Sequence, residues 1–251
     1  IPQDKIKEYT QRDFDNFANK QERHFAMDKE EWDALWTECA NDDLDACQKL
    51  ADNGLKSVNQ CELYDCVKIG FIYEKLNQQS KAIAYYRRDM VLGNILAYSY
   101  LGWIYDKSGD NINAKKYFEK ACDYGTDFYI YCAKLAFLYQ ENKDSRQAKE
   151  YFEIACEKIG IDAAKGRACY ELGIMYLQGN EHLLQDGFKA FDLLKTSCDL
   201  KYGFGCSALG LFYEDGVLVT KSPFKAKYFY SKACSLGAQE GCDNYKKLGS
   251  K

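Results

Sequence analysis

The 251-residue chain has two prolines, so its helices meet few enforced breaks. It also has only two histidines, His24 and His182, which lie far apart and outside any His-Glu-x-x-His pattern, leaving metallohydrolase chemistry without its ligands. No apolar stretch reaches the roughly 18–20 residues that span a bilayer. Ile1 to Thr10 are polar and lack a signal-peptide core, so an exported chain would take its leader from outside this sequence. Formal charge is −4, with 34 basic and 38 acidic residues spread along the chain; without a basic stripe, nucleic acid is not an expected partner. A phosphate-cradling Gly-x-x-x-x-Gly-Lys-Ser/Thr loop is absent. So is Cys-x-x-Cys, the spacing wanted by zinc knuckles and dithiol redox enzymes; the shortest gap, between Cys61 and Cys66, is four residues. No metal or cofactor is therefore expected.

What is abundant is cysteine, twelve residues in near pairs, together with 21 tyrosines and 14 phenylalanines. An even number of cysteines without metal-binding spacing reads as a disulfide framework, which places the protein in an oxidising space, periplasmic or secreted. The aromatic content supplies bulky groups for a helical core.

Five segments repeat: Cys66 to Tyr73, Tyr98 to Tyr105, Cys132 to Tyr139, Cys169 to Tyr176 and Cys206 to Tyr213. Their starts lie 32, 34, 37 and 37 positions apart. A second series alternates with the first: Ala82 to Met90, Ala114 to Cys122, Ala148 to Cys156, Ala190 to Cys198 and Ala226 to Cys234. Each unit is thus a pair of helices. In the first helix, positions 1, 4, 7 and 8 share one face at helical spacing and form the core side. Position 5 is always small (Gly70, Gly102, Ala136, Gly173, Gly210), which admits a neighbouring helix at close range. Position 6, including Phe71 and Trp103, is apolar in every unit and is assigned to the core.

The last unit, Ala208-Leu-Gly-Leu-Phe-Tyr-Glu-Asp-Gly-Val217 followed by Lys225 to Cys234, Gly237 and Cys242, resembles the Sel1-like repeat. Within that group the chain resembles the secreted Helicobacter cysteine-rich family, over about residues 39–245. The units from Cys66 to Cys156, with short turns such as Lys107 to Ala114, look more like tetratricopeptide repeats. The resemblance implies an all-α, right-handed superhelical solenoid of antiparallel helix pairs. Its expected parts are an N-terminal helical cap (1–38), the repeats (39–241) and a C-terminal cap (242–251). The first cap would use Phe14, Phe17, Phe25, Trp32, Leu35 and Trp36, and the last would use Tyr245 and Leu248.

Seven residues separate Cys39 from Cys47, Cys198 from Cys206, and Cys234 from Cys242, a spacing that suits a staple across a tight helix-turn-helix. The resemblance implies the same connectivity. Cys61/Cys66, Cys122/Cys132 and Cys156/Cys169 are expected to pair adjacently as well. At one junction Met90 and Tyr98 occupy the cysteine positions, so an apolar contact is expected there instead.

Some members of the resembled family are described as penicillin-binding or β-lactamase-like. Ser222-Pro-Phe-Lys225 has the Ser-x-x-Lys spacing but lacks the supporting Ser-Asp-Asn and Lys-Thr-Gly elements. The main functional expectation is a non-catalytic scaffold that takes a protein or peptide on the concave face lined by first helices, with a β-lactam-recognising protein as the alternative. The variable positions 2 and 3 nominate Lys68, Tyr100, Lys134, Tyr170 and Glu171 as partner-binding residues.

Overall fold

The computed structural model describes residues 29–53, 61, 65–124, 129–158, 163–179 and 183–249. Phe14, Phe17, Phe25 and both histidines lie outside them, as does most of the expected N-terminal cap. The described residues form thirteen helices and no β-strand. The chain divides into two compact units, residues 1–89 and 90–251.

The first unit holds α1 (Lys29–Ala40), α2 (Leu44–Asn53), α3 (Asp65–Lys75) and most of α4 (Gln79–Val91). Trp32, Leu50 and Ile72 are buried together with Cys39 and Cys47. The second unit holds α5 (Leu96–Lys107), α6 (Asn111–Cys122), α7 (Tyr129–Glu141), α8 (Ser145–Lys158) and α9 (Ala163–Gln178). It continues with α10 (Gly187–Asp199), α11 (Gly203–Asp215), α12 (Pro223–Ser235) and α13 (Gln239–Gly249). Here each helix packs on the next, and α7, α9, α11 and α13 also touch in series, so first helices line up beside first helices. This is the packing of a helix-pair solenoid.

Local chemistry sets the helix boundaries. Asp110, Asp144, Asp186 and Ser222 each accept a hydrogen bond from the backbone N–H three residues on, at 3.1, 3.2, 3.0 and 3.3 Å, which caps the second helix of each of the four pairs in the second unit. Pro223 follows the last cap at the first helical position, where its missing N–H removes nothing. The turn after α11 passes through Gly216 at φ 77°, a left-handed conformation that glycine adopts without strain.

The helices of a pair meet at position 5 of each. A Cβ added at Gly70 would lie 2.5 Å from the Tyr86 ring, at Gly102 2.6 Å from Phe118, and at Gly210 2.4 Å from Tyr230. Those rings are fully buried and fill the space that glycine leaves open. A second contact repeats at position 8 of the first helix. Tyr73 stacks on Tyr85, Tyr105 on Tyr117, Tyr139 on Tyr151 and Tyr213 on Phe229, with ring centroids 5.5, 5.5, 5.7 and 5.5 Å apart. In the fourth pair Leu193 takes the place of the second ring, and the Tyr176 hydroxyl binds charged groups instead.

All twelve cysteines are disulfide-bonded in six adjacent pairs, with Cα atoms 4.5 to 5.3 Å apart. Five of these bridges lie where one helix ends and the next begins or soon follows, and Cys61–Cys66 ties the segment before α3 to its first turn. At the junction without cysteines, Met90 and Tyr98 are half-buried, and the Tyr98 ring lies 5.7 Å from Tyr124 and 6.5 Å from Tyr117. In α13, position 5 counted from Cys242 is Lys246, not a small residue, and Lys227 lies 5.3 Å over the Tyr245 ring.

Candidate partner-binding face

Four of the nominated residues fall on first helices of the second unit: Tyr100 on α5, Lys134 on α7, and Tyr170 and Glu171 on α9. Lys68 belongs to the first unit, where it is exposed with its ammonium 5.9 Å over the Trp36 ring. Tyr100 is half-buried.

Lys134 crosses to the preceding first helix. Its Nζ sits 4.0 Å over the Trp103 ring and 3.7 Å from the Asp106 carboxylate. One turn along α7 and one repeat further, the Arg167 guanidinium lies 4.1 Å over the Phe137 ring, while its Nε stands 4.0 Å from Glu171. Gln140 donates to Glu171 across the same helices at 3.5 Å. Two half-buried rings on this face, Trp103 and Phe137, are therefore each covered by a cation from the next repeat; the equivalent residues further along are Ile174 and Leu211. Each such contact contributes on the order of 0.5–1 kcal/mol at this exposure. Trp103, Phe137 and Phe71 are half-buried; Trp103 and Phe137 pack on the core rings Phe118 and Phe152, so position 6 forms the margin of the core and not its centre.

Tyr170 lies further along, its ring 5.5 Å from Tyr202 and 6.1 Å from Phe204. Burial raises its phenol pKa above the ordinary tyrosine value, and the neighbouring carboxylates Glu171 and Glu240 act in the same direction. It stays neutral and offers a hydroxyl donor. Tyr170 differs from its equivalents at position 2, where Ser99, Ala133 and Ser207 are buried. A small residue at position 2 packs inward, whereas a tyrosine extends over the rim, a distinction that residue type alone reveals only once the packing is known.

The residues missed by sequence reasoning are Trp103, Phe137 and Arg167. The signal for the rings was their half-polar surroundings: position 6 follows the small position 5 and precedes the buried position 7, so it lies at the edge of the core stripe.

Elsewhere, an open hollow of about 420 Å³ is lined by Ser145, Arg146, Lys149, Glu150, Glu153 and Leu183. At Glu153, Tyr176 Oη donates to Oε1 at 3.0 Å, Lys149 Nζ bonds Oε2 at 2.9 Å, and Lys189 Nζ donates to Tyr176 Oη at 2.6 Å. These charges are mutually paired. Among the described residues no three His, Cys, Asp or Glu side chains are placed to hold a metal ion. Ser222, the serine of the Ser-x-x-Lys spacing, accepts from the Lys225 backbone N–H as a helix cap, and the Lys225 ammonium lies 5.0 Å over the Tyr213 ring. No described helix is long and apolar enough to cross a membrane.

Successive antiparallel helices, touching first helix to first helix and carrying rings on that side, define a helix-pair repeat protein. More specifically, the chain carries Sel1 repeats: the Sel1 repeat family model matches residues 131–158, 166–202 and 204–237, and the tetratricopeptide repeat model matches 66–88 and 97–124. The longer linkers 179–186 and 216–222 fall in the last two Sel1 matches, whereas the first, 131–158, keeps a short turn at 142–144 like the pairs matched by the tetratricopeptide model. Among solved structures, a Sel1 repeat protein from Oxalobacter formigenes is 19% identical, with 87% of each chain covered and a TM-score of 0.62. The protein c5321, a protective antigen present in uropathogenic Escherichia coli strains that displays an SLR fold, is 20% identical over 87% of this chain, also with a TM-score of 0.62. The chain spans about half the length of c5321, 52% of it. Cysteine rich protein B of Helicobacter pylori is 28% identical over 51% of this chain and 95% of its own, with a TM-score of 0.39. No curated protein matches the chain.

Proposed function

We propose that the protein is an extracytoplasmic binding scaffold that takes a protein or peptide partner on the first-helix face of its second unit through Tyr100, Lys134, Tyr170 and Glu171. One observation carries the reading: Trp103 and Phe137 pack edge-on against the buried Phe118 and Phe152 yet keep part of their surface open on that face, each beneath a cation, although an aromatic ring gains more by full burial. Rings and guanidinium groups of this kind are the residues that anchor partners at protein interfaces. The oxidising location rests on the six disulfides, which a reducing cytosol would not maintain.

The test uses a photo-crosslinking residue placed in turn at Tyr100, Lys134 and Glu171, with Lys195 on a second helix as control, in protein recovered from its native compartment. A defined partner captured from the first three positions and absent from the control is expected. Equal labelling from Lys195, or no adduct from any first-helix position, contradicts the reading.

A further inference from the structure

The two long linkers of the Sel1 pairs bring apolar side chains to one edge of the second unit. Leu184 is 88% exposed, Phe188 71%, Phe224 85% and Tyr228 58%, far above what a side chain of that size retains in a core. Phe188 and Phe224 hold the same place, the second residue of α10 and of α12. The linkers touch. A Cβ added at Gly187 would lie 2.7 Å from Leu218 Cδ1, so the tip of one linker rests against the start of the helix that follows the other. Leu218 is itself 41% exposed and sits at φ 60°, a left-handed conformation costly for leucine, which the packing against Gly187 sustains.

Charge on the second linker and the helix start after it is one-sided, while among its described residues the first linker carries one carboxylate, Asp186, held as a helix cap. From Gly216 to Tyr228 there are three lysines, Lys221, Lys225 and Lys227, and no carboxylate. Earlier pairs cap their second helices with Asp110, Asp144 and Asp186; this one uses Ser222, which leaves the lysines without an acidic neighbour at the helix start. Just before the segment, Glu214 accepts the Tyr230 hydroxyl and Asp215 closes α11.

We propose that this edge docks on an anionic lipid surface, with Phe188, Phe224 and Leu218 entering the headgroup boundary and Lys221 and Lys227 pairing with lipid phosphates. Aromatic and aliphatic tips flanked by lysines match an interface that is apolar below and negatively charged above. The inference is independent of the first-helix reading, because none of these residues lies on the face bearing Tyr100, Lys134 and Glu171.

The experiment is flotation of the full, oxidised chain with phosphatidylglycerol vesicles and with phosphatidylcholine vesicles, at low and high salt. The chain is expected to float with phosphatidylglycerol, less so at high salt, and to stay behind with phosphatidylcholine. Phe188→Ser with Phe224→Ser should weaken binding by about tenfold or more, and Lys221→Glu with Lys227→Glu should weaken it independently. Both Phe side chains are exposed, so unchanged circular dichroism and melting are expected of that variant. No flotation of the wild type with phosphatidylglycerol at low salt overturns the proposal, as does full binding by the Phe variant. A lipid-free dimer, seen by light scattering and lost in that variant, overturns it in favour of a second copy covering the edge. Crosslinking through the first helices should be unaffected in every variant, which separates failure of this inference from failure of the proposed function.

Discussion

Tyr230 donates its hydroxyl to the Glu214 carboxylate at 2.7 Å, joining position 5 of a second helix to position 9 of the first helix it packs against. The same relationship joins Tyr86 to Glu74 at 3.1 Å. Where the second helix carries Phe118 or Phe152, which needs no acceptor, position 9 is Asp106 or Gln140. A buried phenol must find a partner, and two pairs supply it from the same register. Burial, then the Glu214 contact, hold the Tyr230 phenol neutral far above the ordinary tyrosine range. Tyr230→Phe removes the donor from a half-buried carboxylate and is expected to cost about 1–2 kcal/mol in urea unfolding. Adding Glu214→Gln should cost less than the sum of the two single changes. Full additivity would show that the two residues do not interact.

Gly210 explains why that ring can lie so deep. Gly210→Ala places a methyl group 2.4 Å from the Tyr230 ring and should destabilise by about 1–3 kcal/mol despite alanine's better helix propensity. A gain in melting temperature would mean that the two helices are further apart than described.

The Glu153 cluster makes a prediction about pH. Burial pulls the Glu153 carboxyl upward, but hydrogen bonds from Lys149 and Tyr176 and the nearby charges outweigh it and leave the group below the usual glutamate value. A folded pKa below the unfolded one gives stability that is present above the ordinary glutamate range and is lost as pH falls through the folded value. Lys189 is shifted upward, first by its hydrogen bond with Tyr176 and then by Glu153, so its contribution is in place at neutral pH and fades only in alkali. Melting temperature measured from about pH 7 to about pH 3 should therefore fall further in the wild type than in Glu153→Gln. Parallel curves would contradict this.

Ser222 should behave as a cap. Ser222→Asp preserves the acceptor and is expected to keep stability within about 0.5 kcal/mol, whereas Ser222→Ala should lose about 1 kcal/mol. Nitrocefin hydrolysis by the wild type that disappears in Ser222→Asp would instead make this serine a nucleophile and revive the β-lactam alternative.

Helix pairing was legible because it depends on spacing within one repeat. The small residue at position 5, the core positions 1, 4 and 7, and the alternation of the two series are all written locally, while position 8, expected in the core, is half-buried at Tyr105, Tyr139 and Tyr213. Partners drawn from neighbouring repeats were not. Lys134 reaches Trp103 and Arg167 reaches Phe137 only because successive first helices lie side by side, a distance set by the second helices between them. Position 2 shows the same limit: Ser99 and Ser207 read as exposed polar residues, yet packing buries them while Tyr170 remains half-exposed. The apolar linker edge was also missed, since Phe188 and Phe224 carry no mark in sequence that separates them from core rings.

Sulfur joins one helix to the next at five junctions. Closing loops of this size should stabilise each junction by about 2–3 kcal/mol in the chain-entropy model, and only bridges between adjacent helices fit a fold in which repeats touch their neighbours alone. Peptide mapping of the unreduced protein by mass spectrometry is the most direct check. Six local bridges, Cys39–Cys47, Cys61–Cys66, Cys122–Cys132, Cys156–Cys169, Cys198–Cys206 and Cys234–Cys242, are predicted. Predominantly free thiols, or bridges linking distant repeats, would contradict it.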